Sequence, residues 1–170
     1  EYLFYVIDKD ELNAFTVPGG RIYFFTGLLN KLTTDDQIAS VLAHEIGHCS
    51  AKHTIKKYQA SLGYQLLGDV VLSQITGAET AKRIASMSSN ALMSLVFSAY
   101  GRNDEYESDR LGLKYMALAN YKLEGMVETF QVLDANSKGA DVPLIMRSHP
   151  YTKDRITAIE QQIQKMRSEG

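Results

Sequence analysis

The pattern of apolar and polar positions predicts strands at the start of the chain and helices after them. Residues 12–17 and 21–26 are rich in β-branched and aromatic side chains, and the turn cluster Pro18-Gly19-Gly20 separates them. This pattern is typical of two strands joined by a turn. A strand-like stretch over 2–7 precedes them, and a short helical piece is expected over 27–32.

A longer helix is predicted from Thr34 to about Tyr58. Thr34 and Gln37 have the spacing of a capping box, in which each side chain binds a backbone N–H of the other residue. An apolar stripe typical of a helix follows at intervals of four residues, formed by Ile38, Leu42 and Ile46.

The rest of the chain is predicted to be helical. Helices are expected over 62–75, 80–100, 104–119, 123–136 and 152–167, with Asn103 capping the third of these and a loop over 139–150. Because the strands come first and the helices follow, the sequence predicts an α+β fold, mainly helical with a small N-terminal β-sheet.

The composition is that of an ordinary folded domain. The chain has 170 residues, of which 45% are hydrophobic and 22% are charged, and this length suits one domain. Its net charge of −2 offers no basic surface, so no nucleic-acid partner is expected. Because Glu1 leads directly into a strand-like stretch, we interpret 1–170 as a single excised domain whose N-terminal targeting or anchoring segment is missing.

The segment 61–101 contains only four charged side chains. One interpretation is a buried helical hairpin. The other is a surface for peripheral contact with a membrane or an envelope protein.

The motif His44-Glu45-Ile46-Gly47-His48 lies inside the long predicted helix. Histidines four residues apart share one helix face, so both imidazoles can reach one metal ion. Glu45 lies beside that face, which suits a carboxylate that takes a proton from an attacking water. The alternative is a pair of surface histidines on an amphipathic helix, although their neighbours are apolar.

A catalytic zinc ion needs three protein ligands, so the third must come from elsewhere. His53 is about 180° around the helix from His44, and the metzincin pattern would require other residues at Ala51 and Thr54. His53 is therefore predicted to be a polar or packing residue.

An acidic segment supplies a better third ligand. Glu105 and Asp109 are four residues apart on one predicted helix face. One carboxylate can bind the ion while the other accepts the outer N–H of a ligand histidine. We expect Glu105 to be the ligand and Asp109 to bind His44. Glu107 stays an alternative ligand, and a solvated acidic face near a helix start is a further alternative.

Four blocks in this order resemble the M48 family of zinc metallopeptidases, and within it the soluble, envelope-associated branch of the BepA, LoiP and Oma1 types. The blocks are Asn13-Ala14-Phe15 with Pro18-Gly19-Gly20 and 26–29, the motif 44–48, the segment 105–112, and Ser148-His149-Pro150 with Arg155-Ile156.

The resemblance implies a gluzincin-like catalytic domain with endopeptidase activity and one Zn²⁺ ion per chain. It favours Glu105 over Glu107, because the family's ligand is the first glutamate of an E-x-x-x-D pattern. Ser108 departs from the family, which usually has alanine there. The resemblance also implies a bacterial envelope location, either periplasmic or membrane-associated.

The implied mechanism uses Glu45 as the general base. The resemblance points to His149 and Arg155 as catalytic residues that stabilise the oxyanion. His149 could instead occupy the open position on zinc and hold the enzyme latent, or be an ordinary loop residue before Pro150.

The implied substrates are extended segments of unfolded or misassembled proteins. We expect 13–16 to form an exposed edge strand, in which Asn13, Ala14 and Phe15 bind substrate through main-chain hydrogen bonds. A chaperone-like or adaptor module with a structural or latent metal site is the alternative. Glu45 argues against it, because a structural zinc ion needs no adjacent base.

Overall fold

A three-stranded sheet opens a mainly helical chain in the computed structural model, which describes residues 1–66, 82, 88–137, 142–150 and 153–169. The strands are β1 (Leu3–Ile7), β2 (Ala14–Val17) and β3 (Arg21–Phe25). β3 lies in the middle, parallel to β1 and antiparallel to β2. The predicted α+β class, mainly helical with a small N-terminal sheet, is confirmed.

The helices of the described residues follow the sheet. They are α1 (Thr26–Leu29), α2 (Asp35–Ser50), α3 (His53–Leu66), α4 (Ser89–Phe97), α5 (Arg102–Leu118), α6 (Glu124–Ala135), α7 (Leu144–Ser148) and α8 (Lys153–Glu169). None of these helices is both long enough and apolar enough to cross a membrane. About half of the segment 61–101 lies outside the described residues, including most of the helix predicted over 62–75 and the first part of the one predicted over 80–100.

The start of α2 is as predicted, but its end is not. The Thr34 hydroxyl accepts from the Gln37 backbone at 3.2 Å, and the Gln37 side chain accepts from the Thr34 backbone at 3.3 Å. The helix then ends at Ser50 rather than near residue 58. Lys52 adopts a left-handed conformation with φ 59°, and α3 begins at His53, whose side chain is fully buried. A tertiary contact therefore outweighs the local helical pattern.

Other predicted boundaries are wrong in smaller ways. Gly101, not Asn103, is the N-cap of α5, because the Glu105 backbone N–H donates to the Gly101 carbonyl at 3.1 Å and so starts the helix two residues earlier than predicted. α4 ends at Phe97 rather than Tyr100, because Ser98 is extended. The loop expected over 139–150 contains α7, whose Ile145 N–H donates to the Leu12 carbonyl.

Two glycines allow α2 and α5 to pack closely. A Cβ atom on Gly47 would lie 2.6 Å from Ser108 Oγ, and one on Gly112 would lie 3.2 Å from the His44 backbone nitrogen. Ser108 is fully buried and donates its hydroxyl to the His44 carbonyl. This close approach brings the 44–48 face of α2 against the first turns of α5.

β2 lies at one edge of the sheet order, but its side chains are not exposed. Asn13, Ala14, Phe15 and Thr16 are all buried, because α2 and α4 pack against this strand. The expectation of an exposed strand over 13–16 is therefore wrong for its side chains. The prediction of a single domain over 1–170 stays a prediction.

Candidate metal centre

Four side chains from three parts of the fold converge at one point. His44 and His48 come from α2, Glu105 from the first turn of α5, and His149 follows α7. One ligand atom from each lies within 4.8 Å of all the others. His48 Nε2 is 2.9 Å from His44 Nε2 and 3.3 Å from Glu105 Oε1. The structure thus brings together the three residues predicted as metal ligands.

The chemistry of this group fits a zinc ion. Two imidazoles and one carboxylate form the donor set of a catalytic zinc site. Glu105 is 1% exposed, and its Oε2 accepts no hydrogen bond of ordinary geometry, although it contacts the Arg155 guanidinium. The two imidazoles face this carboxylate, with His48 Nε2 at 3.3 Å from Oε1 and His44 Nε2 at 3.6 Å from Oε2, so one ion between them could bind all three residues.

Hydrogen bonds and charges hold these side chains together. Burial alone would raise the pKa of Glu105, but the His149 charge and hydrogen bonds from His149 and His48, together with Arg155, hold that pKa well below its usual value. Burial is the main cause that lowers the pKa of His48 well below its ordinary value. Glu105 is therefore anionic and His48 neutral at pH 7, which are the forms that bind zinc.

Asp109 lies behind His44, as the sequence predicts. Its Oδ1 is 2.9 Å from His44 Nδ1, and Arg155 donates to Oδ2 from Nε at 2.8 Å and to Oδ1 from Nη2 at 2.7 Å. Burial would raise the pKa of Asp109, but Arg155 and His44 outweigh it and lower that pKa. Burial would likewise lower the pKa of His44, and Asp109 raises it instead.

His48 has partners that sequence reasoning missed. Its Nδ1 is 2.9 Å from His53 Nδ1, and the Tyr100 ring stacks on it with centroids 3.9 Å apart. Tyr100 is fixed by a 2.9 Å hydrogen bond between its hydroxyl and that of Thr54. Nothing in the sequence near Tyr100 signals this contact, whereas His53 stands out by its closeness to the motif. Glu107 lies beside His53 rather than in the converging group.

His149 lies between the converging ligands and Glu45. Its Nδ1 is 3.1 Å from Glu105 Oε1 and 3.2 Å from His44 Nε2, while its Nε2 is 3.4 Å from Glu45 Oε1. The His149 backbone N–H donates to the Ile145 carbonyl at 2.8 Å, which ties this residue to α7.

Glu45 is a buried carboxylate directly beside the converging group. It is 1% exposed and its Oε2 accepts no hydrogen bond. Burial raises its pKa, against the smaller opposing effect of His149 and His44. A carboxylate with a raised pKa is a better proton acceptor near neutral pH. An apolar cavity lies beside it and His149, lined by Val41, Met126, Phe130, Leu133, Ile145 and Met146.

The fold and the site together define a class of protein. A helix with an H-E-x-x-H motif and a glutamate from a second helix form the metal centre of a helical metallopeptidase. The sequence profile of Peptidase family M48 matches residues 1–163. The chain therefore belongs to peptidase family M48.

Individual relatives agree with this assignment. The mitochondrial metalloendopeptidase OMA1 of Saccharomyces cerevisiae is 31% identical over 85% of this chain and 41% of its own length. The corresponding Bos taurus protein is 35% identical over 69% of this chain and 23% of its own length. The beta-barrel assembly-enhancing protease of Escherichia coli K12 is 24% identical over 96% of this chain and 35% of its own length. The chain thus spans less than half the length of each of these relatives.

Proposed function

We propose that this chain is the catalytic domain of a zinc-dependent endopeptidase. The observation that carries the proposal is the convergence of His44, His48 and Glu105 with the buried carboxylate of Glu45 beside them. The metalloendopeptidases among its relatives support it.

Each side chain of the site has a distinct role in this proposal. His44, His48 and Glu105 would hold one Zn²⁺ ion, which would act as a Lewis acid and lower the pKa of water to about 7. Glu45 accepts the proton of the attacking water and passes it to the leaving amine. Asp109 accepts the outer N–H of His44 and so fixes its tautomer and ring orientation.

The contacts of Arg155 favour a positioning role over contact with the oxyanion. The guanidinium binds both oxygens of Asp109 and also contacts Glu105. A group held in this way keeps the third ligand and the His44 partner in place.

His149 fills the corner between Glu45 and the ligands, where an attacking water would have to lie. We propose that the arrangement described above is a latent one, in which His149 Nδ1 competes for the open metal position. Stabilisation of the oxyanion by His149 is the second role that the resemblance offers.

The substrates are proposed to be extended segments of unfolded or misassembled proteins. The backbone of β2 lies at a sheet edge, where an extended peptide can add a strand through main-chain hydrogen bonds. The apolar cavity beside Glu45 suits an apolar side chain of such a peptide. We place the protein in the bacterial cell envelope, in line with the envelope-associated branch that its motifs resemble.

A chaperone-like or adaptor module with a structural or latent metal site is the second candidate. The four converging ligand atoms favour it, because structural zinc sites have four protein ligands. The two candidates make different demands on Glu45. An endopeptidase needs its carboxylate to accept a proton, whereas a structural metal site does not.

Substitution of Glu45 separates the two candidates. In a casein cleavage assay, Glu45→Gln is expected to keep one zinc ion per chain and to lose about 10²–10⁴-fold in rate, because the proton acceptor is gone. The exposed Glu160→Gln on α8 is the matched control and should cleave normally. Cleavage by Glu45→Gln at the wild-type rate, or wild-type cleavage that persists with a chelator, would overturn the proposal.

Substitution of His149 tests latency. If His149 competes for the open metal position, His149→Ala should raise the basal rate of casein cleavage and weaken zinc binding, because a fourth ligand is lost. A fall in kcat with little change in KM would instead assign His149 to the oxyanion and would contradict latency.

A further inference from the structure

His53 is fully buried, yet it lies outside the group of ligand atoms. Its two ring nitrogens make different contacts. Nδ1 is 2.9 Å from His48 Nδ1, and Nε2 is 3.3 Å from Glu107 Oε2 and 3.5 Å from Asp104 Oδ1. These contacts form a continuous line from the metal centre to carboxylates at the surface.

Chemistry fixes the direction of the hydrogen bonds along this line. The Nε2 atom of His48 faces the other ligands, so its proton must be on Nδ1 when Nε2 binds a metal ion. With the ion bound, His48 Nδ1–H would therefore donate to His53 Nδ1. His53 then carries its own proton on Nε2 and donates it to the Glu107 carboxylate, which can only accept.

We propose that His53 is a positioning residue that holds His48 in the tautomer and ring orientation needed for metal binding, with Glu107 anchoring His53. This inference rests on the proposed function, in which His48 is a zinc ligand. His53 does for His48 what Asp109 does for His44, from the opposite end of the motif.

The fold contains a feature that serves this role. On one continuous helix, position 53 would lie about 140° around the axis from position 48, and the two rings would point apart. The end of α2 at Ser50 and the left-handed Lys52 break that geometry. As a result His53, the first residue of α3, lies directly against His48.

The type of side chain at position 53 provides the test. His53→Leu removes the acceptor and keeps an apolar volume. His53→Asn restores an acceptor, since its Oδ1 stands near the position of the imidazole Nδ1. Glu107→Gln weakens only the anchor, and Glu160→Gln is the exposed control.

The zinc dissociation constant would be measured on the metal-free proteins by competition with a chromophoric chelator. We expect His53→Leu to bind zinc about 10–100-fold more weakly than wild type and His53→Asn to recover most of that loss. Glu107→Gln should show a smaller loss and add nothing to His53→Leu, because both act through one line of contacts. The visible spectrum of the Co²⁺-loaded protein should change in His53→Leu and not in Glu160→Gln.

The outcomes separate this inference from the proposed function. A wild-type protein that does not bind zinc would overturn the proposed function. Wild-type zinc binding with an unchanged constant and Co²⁺ spectrum in His53→Leu would overturn the positioning role alone. If His53→Leu fails to fold, the zinc dissociation constant of His53→Asn tests the positioning role. A folded His53→Asn with a loss of tenfold or more would contradict the role, and near-wild-type binding would support it.

Discussion

The carboxylate of Asp109 is buried and nevertheless stays charged. Arg155 donates two hydrogen bonds to it and His44 a third, so its pKa lies below the ordinary value despite burial. A group whose pKa is lower in the folded than in the unfolded protein stabilises the fold above its unfolded pKa of about 3.9. That contribution is lost as the pH falls through the folded pKa.

We predict that the stability of the protein depends on pH through Asp109. In the metal-free protein, the free energy of unfolding should fall as the pH decreases from 5 to 3, because the unfolded chain then binds more protons than the folded one. Asp109→Asn should be less stable than the wild type at pH 5, and its free energy of unfolding should decline less steeply as the pH falls. Urea denaturation at fixed pH measures both slopes, and parallel curves for the two proteins would contradict the prediction.

Residue spacing predicted part of this arrangement. Glu105 and Asp109 share a helix face, so their common approach to His44 follows from helical periodicity. The double hydrogen bond from Arg155 comes from α8, and no local pattern indicates which carboxylate a distant arginine will bind.

The packing of α2 on α5 depends on Gly47. Its missing Cβ leaves room for Ser108, whose Oγ and backbone oxygen would lie 2.6 Å and 2.8 Å from that atom. The backbone oxygen cannot rotate away, so a larger residue would force the two helices apart and separate His48 from Glu105.

We therefore predict that Gly47→Ala destabilises the fold by about 1–3 kcal/mol through overpacking. Gly101→Ala is the matched control, because a Cβ there would be no closer than 3.4 Å to the nearest atom, Asp104 Oδ2. Gly101→Ala should lower the free energy of unfolding by no more than about 1 kcal/mol, because it changes the N-cap residue. The free energy of unfolding in denaturant measures both. A Gly47→Ala variant as stable as the wild type would show that the helices are not tightly packed at Gly47.

The start of α2 was easier to predict than its end. The capping box at Thr34 and Gln37 marks the start of α2 in the sequence. Its end has no such mark, since Lys52 takes a left-handed conformation that glycine or asparagine usually occupies. The turn there is stabilised by the burial of His53 beside His48, which is a tertiary contact that local patterns do not contain.

At the scale of the whole molecule, residues far apart in the chain meet around α2. The order of four sequence blocks was sufficient to predict the class and the convergence of α2 with Glu105. It was not sufficient to predict the burial of Asn13 and Phe15, because that depends on how α2 and α4 cover β2. The sequence also leaves open the position of His149 against Glu45, because the His149 backbone is set by α7, a helix where the sequence predicts a loop.

The position of the metal ion tests the central claim most directly. Crystals of the zinc-loaded protein, with diffraction data collected on both sides of the zinc absorption edge, would locate it. We predict one anomalous peak per chain, about 2.1 Å from Nε2 of His44, Nε2 of His48 and a carboxylate oxygen of Glu105. A zinc ion bound by Glu107 in place of Glu105, or no peak between the two imidazoles, would contradict the account.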